Sequence, residues 1–140
     1  MLWSDLLGSR VTTGFLPAVA AATTTESHPL FVAPQKCRVT QVDIIPQAAV
    51  TGDGTDRKNL NILNAGSAGA GTTEVGNLDL SADVNLTAAD LKNIPLNATY
   101  LAPGVELEAG DVLVLSYEKV GNGVDMPDCI ALITWGPSAA

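Results

Sequence analysis

In the stretch TGDGTD, Asp53 and Asp56 stand three residues apart among glycines. Together with nearby carbonyls they form a candidate site for a hard cation such as calcium, which takes oxygen ligands. The spacing is not that of an EF-hand loop, and only two carboxylates lie close together. Glycine and aspartate are also what a tight connection needs: glycine supplies positive φ, and aspartate bonds its own backbone. The pattern therefore fits a turn better than a metal site. Downstream, NAGSAGAG at 64–71 is rich in glycine, but it has no lysine and no helix pattern after it. A phosphate cradle needs both the backbone nest and a helix start, so the segment reads as a flexible loop.

Catalytic chemistry finds little support. The one histidine, His28, precedes Pro29 and reads as a surface residue. A nucleophilic triad needs an imidazole held between nucleophile and acid. Glu106 and Glu108 share a face if VELE is a strand, and such a pair can hydrolyse glycosides. Those sites usually carry aromatic platforms, and here aromatics make up 4 % of the chain. The same scarcity argues against a sugar-binding module, and Trp135 reads as a core or edge filler. Cys37 and Cys129 have neither C-x-x-C spacing nor a Cys/His cluster, which excludes a zinc-finger pattern. Both lie in apolar, strand-like runs. Two buried thiols, or one bridge between the first and last strands, both fit.

The elements that must carry these residues are short. The chain has 140 residues, 46 % of them apolar, enough for one domain with a core. Thirteen glycines and eight prolines predict many turns and few long helices. LFVA, KCRVTQVDII, NLNIL, EVGNLDL, IPLNATYL, VELE, VLVLSYEKV and CIALITW read as strands. In KCRVTQVDII the alternation slips between Val39 and Val42, which predicts a bulge. Leu113, Leu115 and Tyr117 share one face, as do Cys129, Ala131, Ile133 and Trp135. Thr87 with Asp90 in NLTAADLKN predicts a helical turn. About eight strands at this spacing predict an all-β, two-sheet antiparallel sandwich, jelly-roll-like in topology.

Residues 1–28 differ from the rest and read as an extended N-terminal arm, with the sandwich domain over 29–140. The opening MLWSDLL has spacing for a helical turn or two, and no clear period follows. Leu2, Trp3, Leu6, Leu7, Val11, Phe15 and Leu16 need a surface to cover. That surface belongs to this domain, to a neighbouring subunit or to a different protein, and the expectation here is an intermolecular contact. GFLPAVAAA faintly resembles a secretory h-region, but the Arg and Asp before it and its own Gly and Pro argue against one. No apolar run reaches membrane-span length.

Charge is unevenly placed. Five acids balance five bases in residues 1–73, while residues 74–140 hold ten acids against two lysines, which yields the net charge of −8. Phosphate backbones attract the opposite sign, so nucleic acid is not an expected partner.

In order and spacing, several motifs resemble the jelly-roll decoration, or cement, proteins of tailed bacteriophage heads. They are the V-T-x-V strand at 39–42, P-x-A-A-V-T-G at 46–52 and L-x-x-L-N-x-G-x-x-G-x-G-T-T at 60–73. A-G-D-V-L at 109–113 and K-V-G-x-G at 119–123 complete the set. The resemblance spans roughly residues 31–135 and none of its motifs is catalytic. It implies a non-enzymatic homotrimer on the outer capsid surface of a virion, without cofactor, bridging subunits of the major capsid protein. The arm at 1–28 lies outside the resemblance, and its role as the anchor is inferred from its composition. A head-fibre or receptor- or glycan-binding jelly roll is the alternative, and an acidic sandwich hydrolase a third.

Overall fold

The computed structural model describes residues 8–97 and 104–138. Nine strands form two antiparallel sheets: β1 (Arg10–Leu16), β2 (Thr25–Val32), β3 (Cys37–Pro46), β4 (Arg57–Asn64), β5 (Thr73–Asp79), β6 (Lys92–Ile94), β7 (Val105–Leu107), β8 (Val112–Val120) and β9 (Cys129–Pro137). No helix occurs among the described residues.

One sheet runs β1-β9-β3-β6, with β7 also paired to β3, and the other runs β2-β8-β4-β5. First strand pairs with last, second with second-last, third with β6 and β7, and fourth with fifth. That nesting is a long hairpin rolled into two sheets, the jelly roll expected from the turn spacing.

The core follows from period-two alternation. Val39, Val42 and Ile44 of β3, Leu60 and Ile62 of β4, Leu113, Leu115 and Tyr117 of β8, and Ala131 and Ile133 of β9 are all fully buried. Each Leu, Ile or Val buried this way contributes about 1.5–3 kcal/mol of transfer free energy. The predicted slip in β3 is a register shift against β9 between Val39 and Gln41, which keeps apolar residues inward on both sides of it.

Two expectations are corrected. The arm over 1–28 is, from Arg10 onward, part of the sandwich: β1 pairs with β9 over seven residues, and a boundary after His28 would cut β2 in the middle. The inner positions of β1 are Arg10, Thr12, Gly14 and Leu16; only Leu16 among them is a large apolar residue, and the space above Arg10 and Thr12 is filled by Trp135. Trp135 is buried, donates from Nε1 to Thr12 Oγ1 at 2.9 Å, and lies under the Arg10 guanidinium at 5.3 Å. The helical turn expected at Thr87–Asp90 is a hydrogen-bonded turn. Asp90 N–H donates to the Thr87 carbonyl, and Ala89 adopts φ 59°, outside the helical region.

The link from β1 to β2 is pinned as firmly as a strand. Val19 bridges Met126 in both directions, Ala18 N–H donates to Asp128 Oδ1 at 2.7 Å, and Ala21 N–H donates to Asp125 Oδ1 at 2.7 Å. Beneath it the fully buried Lys58 donates from Nζ to the Ala21 and Thr23 carbonyls.

Candidate functional site

The two outer faces of the sandwich differ in chemistry. On the β2-β8-β4-β5 sheet the outward positions are polar along Asn59, Asn61, Asn77 and Glu118 and apolar toward one end, where Val32, 57 % exposed, lies opposite Val112, and Val114 lies opposite Leu63. Asn77 donates to both Asn59 Oδ1 (2.7 Å) and Asn61 Oδ1 (2.6 Å), and Asn61 donates to Glu118 Oε2 (2.9 Å). Arg57 grips Asp79 through Nε and Nη2, a two-point contact that raises the guanidinium pKa. These groups satisfy one another across the strands.

The other sheet carries apolar side chains outward near one end. Phe15 is opposite Ile130, and Ile130 is opposite Ile45. The register of β3 with β6, Ile44 opposite Lys92, carries the exposed Leu91 toward the same row. Phe15 is 65 % exposed, Ile130 49 % and Leu91 51 %. Between them lies a hollow of about 470 Å³ lined by Phe15, Ile45, Pro46, Ala89, Cys129 and Ile130, with Gln47 and Asp128 at its rim. Asp128 is already engaged with Ala18 N–H. The opening therefore offers an apolar floor and few free polar groups, which suits a hydrophobic side chain from another segment better than a charged ligand.

The seven residues singled out as contact residues separate by face. Leu2, Trp3, Leu6 and Leu7 lie outside the described residues. Val11 and Phe15 are exposed on the outer face of β1, at 56 % and 65 %. Leu16 is a correction: it is fully buried in its own core, because it follows Phe15 and a strand alternates sides. Ile130 and Ile45 completed the surface and were missed. Their signal was an apolar residue at the outward position of CIALITW and of KCRVTQVDII, where polar residues are the rule on a solvated face.

Elsewhere the chemistry-bearing residues serve the fold. Asp53 Oδ1 accepts the Thr55 and Asp56 N–H groups at 2.7 and 2.8 Å, and the Asp56 amide, then Thr55's, hold its carboxyl below the usual range. Asp56 Oδ1 accepts Asn122 N–H at 2.8 Å, tying this loop to the β8–β9 turn. TGDGTD is thus a turn whose carboxylates are occupied by backbone. Glu106 pairs with Arg38 at 2.7 Å and Lys36 at 3.2 Å on the β3–β7 edge, and Glu108 reaches Lys36 at 4.0 Å. His28, expected at the surface, points into the sandwich, edge-on to Tyr117 with ring centroids 6.2 Å apart and 3.7 Å from Glu26. Trp135 packs on Phe31, centroids 5.5 Å apart, as a core filler. Among the described aromatics, Phe15 alone is exposed, so no stacking platform for a sugar ring is formed by them.

Cys37 and Cys129 are both buried and free. Cys37 opposes Pro137 and Cys129 opposes Pro46, so nine strand residues, about 30 Å, separate them. A bridge within one sandwich is impossible at that distance. Burial pushes the Cys129 thiol up to about 11, and burial likewise raises Cys37 and Tyr117.

Comparison with known proteins gives a likeness at the level of structure. No family model matches the sequence, and the comparison with curated proteins found no match. A chain in the solved structure of the cyanophage Pam1 capsid asymmetric unit superposes with a TM-score of 0.58, covering 93 % of this chain and 85 % of that one, at 14 % identity. At that identity the likeness is one of fold.

Proposed function

We propose that this protein is a non-enzymatic structural component of a phage capsid, a decoration protein that lies on the outer surface and bridges subunits of the major capsid protein. The reading is carried by the near end-to-end likeness of its jelly roll to a chain of a phage capsid assembly. It is supported by the motif order that resembles capsid cement proteins, and by an outward apolar row beside a hollow with an apolar lining.

The contact side in this reading is the exposed row Val11, Phe15 and Ile130 together with residues 1–7. The shorter leader replaces the 28-residue anchor, since residues from Arg10 on belong to the sandwich. A homotrimer fits the same reading: closed symmetry repeats one modest contact, and repetition over a shell multiplies weak contacts into firm attachment. The acidic second half faces solvent or a basic capsid patch.

The test is a mass-spectrometric inventory of virions carrying the gene for this chain, followed by co-sedimentation of the recombinant protein with heads stripped of it. A copy number near that of the major capsid protein, and saturable binding to heads, is the expected result. A handful of copies per particle points instead to a fibre or tail component. Absence from virions, with no binding to heads, overturns the proposal.

A further inference from the structure

The contact side described above has two possible partners, a capsid subunit or another copy of the chain. Resting on that reading, we infer that the hollow at Phe15 receives the apolar leader, residues 1–7, of a second copy.

The argument is one of position and reach. Gly8 and Ser9 run on beside Gly136, beyond the point where Arg10 pairs with Trp135. The leader therefore leaves the sheet at the Trp135 end of β9. The hollow sits at the other end of the same sheet, where Phe15 faces Ile130. Seven residues of extended strand, about 23 Å, separate Gly8 from Phe15. Trp3 is five residues before Gly8 and Leu2 six, so full extension carries their backbones about 17 and 20 Å. Running back along β1 also requires a reversal, which uses about two of those residues. Leu6 and Leu7 fall far shorter. On these lengths Leu2, Trp3, Leu6 and Leu7 fall short of the hollow of their own chain.

A second copy removes the conflict. Its leader supplies Leu2, Trp3, Leu6 and Leu7, the hydrophobes that a hollow floored by Ile45, Ile130 and Phe15 would cover. Donor and acceptor lie at opposite ends of one sheet, so the contact is head-to-tail. Such contacts close into rings when the rotation permits, which fits the trimer of the functional reading.

The experiment uses the full chain and reads mass by native mass spectrometry and light scattering. A hollow variant, Phe15→Ser with Ile130→Ser, keeps its leader. A leader variant, Trp3→Ser with Leu6→Ser, keeps its hollow. Both change exposed or leader positions, and far-UV circular dichroism checks that each is folded; Ile45→Ser serves as a second hollow variant. Wild type is expected to be oligomeric, and each variant monomeric, with association at least tenfold weaker. An equimolar mixture of the two variants is expected to give heterodimers, since one intact leader meets one intact hollow. A monomeric wild type, variants that assemble like wild type, or folded variants that stay monomeric when mixed would each overturn the inference. Co-sedimentation with heads separates it from the functional reading: a monomer that binds heads sinks only the leader exchange, and an oligomer that does not bind sinks only the capsid role.

Discussion

The Lys58 ammonium, fully buried, donates to the Thr23 carbonyl at 2.6 Å and to the Ala21 carbonyl at 3.1 Å. Burial, with Lys119 nearby, lowers its pKa. A lysine placed there exchanges hydration for two backbone acceptors. In return, the β1–β2 link stays on the body of the sandwich and holds β1 against β9. Lys58→Ala leaves both carbonyls unpartnered, at about 1–3 kcal/mol each. Lys58→Met keeps the volume and removes a buried charge, so its cost is smaller. Urea denaturation is expected to rank the proteins wild type, Met, Ala, in falling stability.

Leu16 and Phe15 are neighbours on opposite faces of β1. Leu16→Ala opens a cavity in the core and is expected to cost about 2–5 kcal/mol. Phe15→Ala changes an exposed position and is expected to cost less than about 1 kcal/mol. Thermal melts of the two single variants check this. Equal effects would mean that β1 does not present these faces as described.

Truncation distinguishes the leader from the strand that follows it. Removing residues 1–7 leaves every described strand intact, so at concentrations where wild type is monomeric the melting temperature is expected to stay within a few degrees of wild type. Removing residues 1–16 deletes β1, uncovers Trp135 and strips its Thr12 acceptor. That protein is expected to aggregate or to lose a cooperative melt.

How far the sequence speaks depends on which side of a strand its apolar residues occupy. In β8 and β9 one alternating apolar set points inward, and Leu113, Leu115, Tyr117, Ala131, Ile133 and Trp135 were legible as one core. Before Leu16, β1 inverts the rule: Val11 and Phe15 face out, while Thr12 and Gly14 face in, Thr12 bonded to a tryptophan from the other end of the chain. No local pattern encodes a core position filled from 123 residues away. β2 hid for a related reason, since TESH puts Glu26 and His28 inward against Tyr117 and reads as polar loop. The turn at TGDGTD was legible because the Asp53 carboxylate accepts from amides two and three residues on. The hollow was not legible, because Phe15, Ile130 and Ile45 meet only through long-range strand register.

Tyr117 is fully buried, and its hydroxyl makes no hydrogen bond to a nitrogen or oxygen; the Cys129 thiol is its polar neighbour. A buried hydroxyl without a proper partner is a cost that phenylalanine removes. Tyr117→Phe is therefore expected to raise stability at pH 7 by up to about 1 kcal/mol in urea denaturation.

Alkaline pH should loosen the sandwich through the same corner. The Cys129 thiol is raised by burial from 9.0 to about 11 in the folded chain. The folded state thus holds its proton where the unfolded state has lost it. The stability this contributes is complete below pH 9 and is lost as pH rises through about 11. Two pH units correspond to about 2–3 kcal/mol. Tyr117, also raised by burial, adds to the fall, and Lys58, lowered by burial, opposes it by favouring the folded state as pH rises toward 10.5. Cys129→Ala removes only the thiol's part. Between pH 8 and 11 its stability is expected to fall less steeply than that of wild type, whatever the offset from its lost volume. Parallel slopes in melts across that range would show that the buried thiol does not set the alkaline limit.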